Sequence, residues 1–413
     1  MPALIPRAVL PALLLILTLG FSYITHANTH TISAPEVDLN FGGKLQPVYY
    51  FTDSSLVSKR DRHDVRLRRA RLWTKGSLDG WIKFNLQGEY HENPKSGGAD
   101  TRIVDAYVHL KPSATRQLYL GQFMVPVLRQ NATSSGGLMT FDRPGIIYKS
   151  LNWGTRALSR FSTLTMNNTD AGLRGNVDVR DLGIMFMSVH DMNTTTHIKY
   201  HLAVTEGARS AQGERFAARA QINWGDTESG LFQNATYFGA KDTISLGVSI
   251  DQQANVAIDQ SSGNDVGYQL QSIDLFAEKP LGSHSINVEA AYINLDLDSA
   301  EILLNPDGLG VTTNSPLNGQ LAVNSQGSGF YIQSGLTFNK WQPWFGFEQW
   351  QSDADDNSGS YSTTRVGLTY HLHGHRTNIK VGYEITEAEQ AFTNSLGSED
   401  RLATLAAGLF ISF

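Results

Sequence analysis

The chain has 413 residues, 33 Lys plus Arg against 39 Asp plus Glu, a formal charge of −6, and no cysteine. That balance argues against nucleic acid as a partner, and without disulfides stability has to come from closed backbone hydrogen bonding. Hydrophobic residues make up 41% of the chain, but beyond the N-terminal leader they alternate with polar ones, and no run there approaches the ~18 apolar residues of a spanning helix.

In chain order, the first element is that leader. Arg7 precedes an apolar run over residues 8–20, and Thr25-His26-Ala27 offers small residues for cleavage. This reads as a secretory signal peptide over 1–27, leaving 28–413 as the mature chain. Its loss, with Arg7, takes the formal charge to −7. An exported chain without a spanning helix but with one-faced strands fits the outer membrane of a Gram-negative bacterium.

A first strand is predicted near 37–50. The next segment, 64–75, breaks strict alternation: Val65 and Leu67 share one face, Ala70 and Leu72 the other. A one-residue bulge near Arg68 and Arg69 restores a single apolar wall and turns Arg66, Arg68 or Arg69, and Arg71 to the other side. Arginines facing lipid at mid-depth would cost ~2–4 kcal/mol each, so several must face a lumen. A ladder of guanidiniums in a confined pore selects anions. The alternative is that they pair with inward acids such as Glu89, Asp105, Glu289, Glu348 and Glu384 and stiffen the wall.

Face-in, face-out ribbons follow: Ile82, Phe84 and Leu86 against Lys83, Asn85 and Gln87; Val104 to Leu110 against Asp105, Tyr107 and His109; then around Lys199, Arg219, Glu289, Arg365 and Lys380. Segments of this kind number about 16 to 18, and an even count is expected of a bacterial barrel. Tight links fall near 75–80, 111–114, 280–283 and 373–375. Long polar links fall at 91–101, 251–265, 297–328, 351–360 and 387–400. Loop 125–160, glycine-rich and carrying Arg129, Arg143, Arg156 and Arg160, is long enough to be functional and is expected to fold inward as a constriction.

His371, His373 and His375 read as a polar interface girdle rather than a metal site, since no cysteine or ordered carboxylate set accompanies them. Trp153, Trp341, Trp344 and Trp350 read as aromatic belts. No G-x-S-x-G elbow or phosphate-cradling P-loop occurs, so no catalytic residue, metal or cofactor is expected. At the C-terminus Ala403, Leu405, Ala407, Leu409, Ile411 and Phe413 form one apolar face. The other face carries Thr404, Ala406, Gly408 and Ser412, with Phe410 the exception. This is the expected closing strand of an all-β, transmembrane antiparallel β-barrel.

The succession Arg66-Leu67-Arg68-Arg69-Ala70-Arg71-Leu72, Asp105-Ala106-Tyr107-Val108, Leu120-Gly121-Gln122-Phe123-Met124-Val125-Pro126 and Phe141-Asp142-Arg143-Pro144 resembles the phosphate-selective porin O and P family. The resemblance implies a 16-stranded, homotrimeric channel with an inward loop, in which Arg66, Arg68, Arg69, Arg71, Arg129 and Arg143 stand by position in a basic path. With Lys83, Arg156 and Arg219 they form the candidate pore-lining, anion-guiding set. The extracellular side departs from the family in looking acidic. The expected function is passive diffusion of small hydrophilic solutes, favouring anions such as phosphate, with outer-membrane lipid as the other partner. The alternatives are a general or sugar-conducting porin, or a non-conducting barrel that serves as scaffold or receptor.

Overall fold

A computed structural model describes residues 36–53, 63–93, 98–144, 180–207, 213–258, 265–297, 310–311, 321–322, 327–353, 360–394 and 397–413. The strands are β1 Val37–Asp53, β2 His63–Leu78, β3 Ile82–Asn93, β4 Gly98–Ser113, β5 Arg116–Met124, β6 Arg180–Asp191, β7 Thr196–Thr205, β8 Arg215–Gly225 and β9 Thr243–Ile258. They continue as β10 Asp265–Leu281, β11 His284–Leu297, β12 Gly310–Val311, β13 Leu321–Ala322, β14 Gly327–Phe338, β15 Trp341–Ser352, β16 Tyr361–His373, β17 Thr377–Asn394 and β18 Gly397–Ser412. β12 and β13 form a small ladder of their own; the other 16 close into one antiparallel barrel.

Closure occurs where the alternation predicts it. β1 pairs with β18, Lys44 opposite Ser412 and Tyr49 opposite Ala407, and Gly43 and Phe413 exchange backbone hydrogen bonds of 2.9 and 3.0 Å. With no sheet edge left, the wall satisfies its own backbone, which a bilayer requires. The links expected at 91–101 and 387–400 are mostly strand, since β3 reaches Asn93, β4 starts at Gly98, β17 reaches Asn394 and β18 starts at Gly397. Backbone pairing continues past the apolar band because water accepts polar side chains on both faces there.

The outer face is apolar and uncovered: Val65 is 73% exposed and Leu72 70%, and Leu86, Phe345, Leu405 and Leu409 share that wall. The predicted bulge accounts for this continuity. Leu45 opposes Ala70 and Pro47 opposes Leu67, so Gln46 alone faces both Arg68 and Arg69. Both arginines turn inward, where the sequence required only one of them to do so.

Inside, a mostly polar lumen holds a buried apolar cluster among the described residues: Val48, Tyr50, Met139, Phe141, Ala235, Trp344, Ala406 and Phe410. Phe410, the exception on the inner face of the last strand, meets Phe141 edge-on at 5.9 Å between ring centroids. Trp344 and Trp350 are therefore not belt residues. Both are buried on the lumen side, and the Trp344 indole N–H donates to the Thr369 hydroxyl at 3.2 Å. Trp341 does stand exposed at the tight-turn rim, and Trp153 lies outside the described residues. The lumen selects these aromatics because an inward segment needs an apolar surface to dock on. Phe410→Ala should destabilise the folded barrel by ~3–5 kcal/mol, read as a lower temperature for the loss of the folded form on unheated gels.

Candidate functional site

Two segments enter the lumen from opposite rims. The first, residues 125–144, follows β5 and contains a single helical turn, α1 Arg129–Ala132, every residue of which is buried. Its approach depends on Gly121, at φ +118°, where a β-carbon would stand 2.3 Å from the Ala106 carbonyl oxygen of β4. Only glycine tolerates both that φ and that distance. Residues 145–160 of the expected constriction, including Arg156 and Arg160, lie outside the described residues.

The second segment is residues 226–242, between β8 and β9. It starts from the rim where the other described links are tight turns: 79–81, 114–115, 192–195, 282–283, 339–340 and 374–376. The two segments join through a short parallel ladder. The Ser134 N–H donates to the Gln233 carbonyl and the Gln233 N–H to the Ala132 carbonyl, both at 2.9 Å, and the Ala235 N–H reaches the Gly137 carbonyl at 2.9 Å. Backbone that would be stranded in the lumen is thereby satisfied.

Charge pairs lock this junction. Arg129 is fully buried and bonded to Glu228 at 2.5 Å and Glu289 at 3.2 Å, with its guanidinium carbon 3.4 Å from the Phe276 ring centroid. Burial works against the charge of Arg129, but the two carboxylates outweigh it and raise its pKa. Burial likewise opposes the charge on Glu228, yet Arg129 holds that carboxyl down to about 2. The Lys199 ammonium donates to the Glu228 and Gly230 carbonyls at 2.6 and 3.0 Å.

His371 and His375 complete the anchorage, and the girdle expected of the three histidines is corrected by them. Their imidazoles lie 4.8 and 4.6 Å from the Phe238 ring, and His375 donates to the Thr236 carbonyl at 2.8 Å. Only His373 is exposed. They turn inward because Phe238 of the second segment gives them an aromatic surface to close on.

The predicted arginines are mostly paired with carboxylates. Arg68 and Arg69 both grip Asp142 of the first segment, at 2.6 and 2.8 Å. Arg71 pairs with Glu89, Arg219 takes Asp274 through both nitrogens, and Arg365 bridges Glu348 and Glu384. Arg143 donates to the Gln130 and Thr133 carbonyls, each at 2.6 Å. Lys83 stands exposed on the inner row near the tight-turn rim. The Arg66 backbone pairs with Val48, but its side chain is outside the described set.

Between residues 133–137 and the wall formed by β1 to β5 lies a cavity of about 280 Å³. Its cations are Lys44, Arg71, Lys75, Arg143, Arg180 and Arg376, and its one carboxylate, Asp105, is held by Arg180 at 2.8 Å. The Lys44 ammonium donates to the Ser135 hydroxyl at 2.9 Å. Among the described residues no carboxylate pairs with Lys44, Lys75 or Arg376. Sequence reading missed Lys44, Lys75, Arg180 and Arg376. Lys75 ends the arginine-rich strand and was within its reach; the others are brought in by barrel closure and by a turn.

The Arg129–Glu228 pair should govern how far the second segment closes the lumen. With the folded carboxyl at about 2 and an ordinary value of 4.5, the pair contributes fully above pH ~4.5 and is lost as pH falls toward 2. Single-channel conductance should be flat from pH 7 to about 5 and rise below about 4. Glu228→Gln should show the raised conductance already at pH 7, with no acid step.

The model of the family described as phosphate-selective porin O and P matches residues 41–205. A search of the curated proteins finds no match. Among solved structures, the anion-selective porin from Comamonas acidovorans is similar at TM-score 0.52 and 10% identity, covering 92% of this chain and 100% of its own. OmpF of Salmonella typhi, in complex with daunomycin, is similar at TM-score 0.51 and 10% identity over 91% of this chain and 97% of its own. OmpT of Vibrio cholerae in its trimer form is similar at TM-score 0.50 and 11% identity over 91% of this chain and 99% of its own. At such identities the likeness shows the fold. Barrel and family model together identify the chain as a porin of the Gram-negative outer membrane, a channel for small solutes, whose residues 41–205 match the phosphate-selective porin O and P family.

Proposed function

We propose that this channel favours small anions and is not an enzyme. The observation that carries the reading is the cavity beside residues 133–137, with six cationic side chains against one carboxylate. Elsewhere among the described residues the lumen arginines are mostly matched by carboxylates, so much of the field there is cancelled. In the cavity Arg71 and Arg180 are met by Glu89 and Asp105, but Lys44, Lys75 and Arg376 have no carboxylate partner among the described residues, and low-dielectric walls strengthen their field. Arg71 and Arg143 are the candidates from the sequence that line it. Arg68, Arg69 and Arg129 act instead by holding the inward segments in place, Arg219 by pairing with Asp274 along the wall, and Lys83 by adding charge at a rim. Removal of 1–27 as an export signal and assembly as a homotrimer belong to the same proposal; OmpT of Vibrio cholerae, a barrel of this fold, is described in a trimer form.

The test is the reversal potential of the purified chain in planar bilayers under a KCl gradient. Wild type should prefer chloride. Lys44→Gln, Lys75→Gln and Arg376→Gln combined should lower the chloride-to-potassium permeability ratio about tenfold, a ~1.4 kcal/mol change within the reach of three charges at an effective dielectric near 20. A cation-selective wild type would overturn the reading.

A further inference from the structure

We infer that the basic cavity takes small organic anions with a flat apolar body, an aromatic carboxylate being the simplest, in preference to inorganic anions. This rests on the anion-channel reading and adds to it a claim about the substrate. A channel that selects by charge alone needs cations and water, and this cavity also holds aromatic and thioether surface. Trp73 points inward from β2 opposite Gly42 of β1, and a β-carbon on Gly42 would stand 2.5 Å from two of its ring carbons. The indole therefore lies across the β1 backbone, with the Lys75 ammonium 5.6 Å from its ring centroid.

Phe232 lines the same cavity from the second inward segment, and Met124 from the end of β5. Phe232 is 38% exposed. Outer-wall aromatics have lipid to cover them, and Phe141, Trp344 and Phe410 are covered by one another in the lumen cluster. Phe232 stands inside the barrel beyond the reach of either. An apolar surface left facing a water-filled lumen, beside uncompensated cations, is the arrangement that recognises an amphiphilic anion.

The charges are placed for one end of such a molecule. The Lys44 ammonium is buried, has three protons to donate and, among the described residues, meets one acceptor, the Ser135 hydroxyl. Lys75 and Arg376 line the same space without carboxylate partners among the described residues. The volume, about 280 Å³, is near the lower end of the small-molecule range of ~300–1,000 Å³. A tetrahedral oxyanion would satisfy the cations and leave Trp73 and Phe232 in contact with water.

Block of chloride current tests this in the full chain reconstituted in planar bilayers, with benzoate, acetate and inorganic phosphate as probes. Benzoate should half-block at a concentration about tenfold below that of acetate, the scale of one aromatic contact beside a cation. Trp73→Ala and Phe232→Ala should each bring benzoate to the acetate level, and Trp73→Phe should retain most of the difference. Phe232 is exposed on its segment, so its variant tests the idea even where Trp73→Ala fails to fold. Equal block by benzoate and acetate in an anion-selective wild type would overturn the inference and leave the channel reading standing. So would benzoate block that survives Phe232→Ala. A cation-selective wild type would remove both.

Discussion

A strand crossing a bilayer has no water to satisfy its backbone, so every N–H and C=O must find a partner strand and the sheet must close on itself. The pairing of β1 with β18 meets this demand. Its consequence reaches every other side chain. With one face of each strand against lipid, charged and polar residues have only the lumen to occupy, and they arrive there in numbers that crowd them together. Buried charges in such surroundings have to be paired, and the pairs determine the interior. Arg68 and Arg69 on Asp142, Arg129 on Glu228 and Glu289, and Arg219 on Asp274 are each a response to that crowding.

Pairing also explains how a wide barrel comes to have a narrow path. Residues 125–144 enter the lumen from the rim opposite the tight turns. The segment 226–242, from what is the periplasmic side in barrels of this kind, meets them through the Thr133–Gln233 bridge and the buried Arg129–Glu228 pair. Together they occupy the lumen and leave the cavity along β1 to β5, where cations outnumber carboxylates. The proposed anion preference therefore rests on where pairing is incomplete rather than on where arginines are most numerous.

Much of the fold was legible in the sequence. The terminal strand, its partner near residue 37 and the bulge at Arg68 and Arg69 follow from period-2 alternation and from the cost of an arginine facing lipid, while the inward segment after Gly121 was expected from the length of its loop and from the family resemblance. The inner pairing of Glu89, Asp105, Glu289, Glu348 and Glu384 with arginines was legible as an alternative. The second inward segment was not. It reads as one more link, and the only local sign of it is a stretch of residues without strand alternation where a tight turn was due. Trp344, His371 and His375 were misplaced for the same reason: their inward surroundings are supplied by Phe141 and Phe238, far away in the chain.

What the sequence determined by itself is therefore what a period of two can carry: strands, their faces, the closed barrel and its residence in the outer membrane. These depend on neighbours one or two residues apart and on the bilayer as solvent. Which arginines are paired with carboxylates, and which line the basic cavity, was decided only by the tertiary structure. Arg129 meets Glu228 across 99 residues, and Lys44 meets Ser135 across 91. No local pattern encodes contacts that exist only after the barrel has closed around two segments entering from opposite ends.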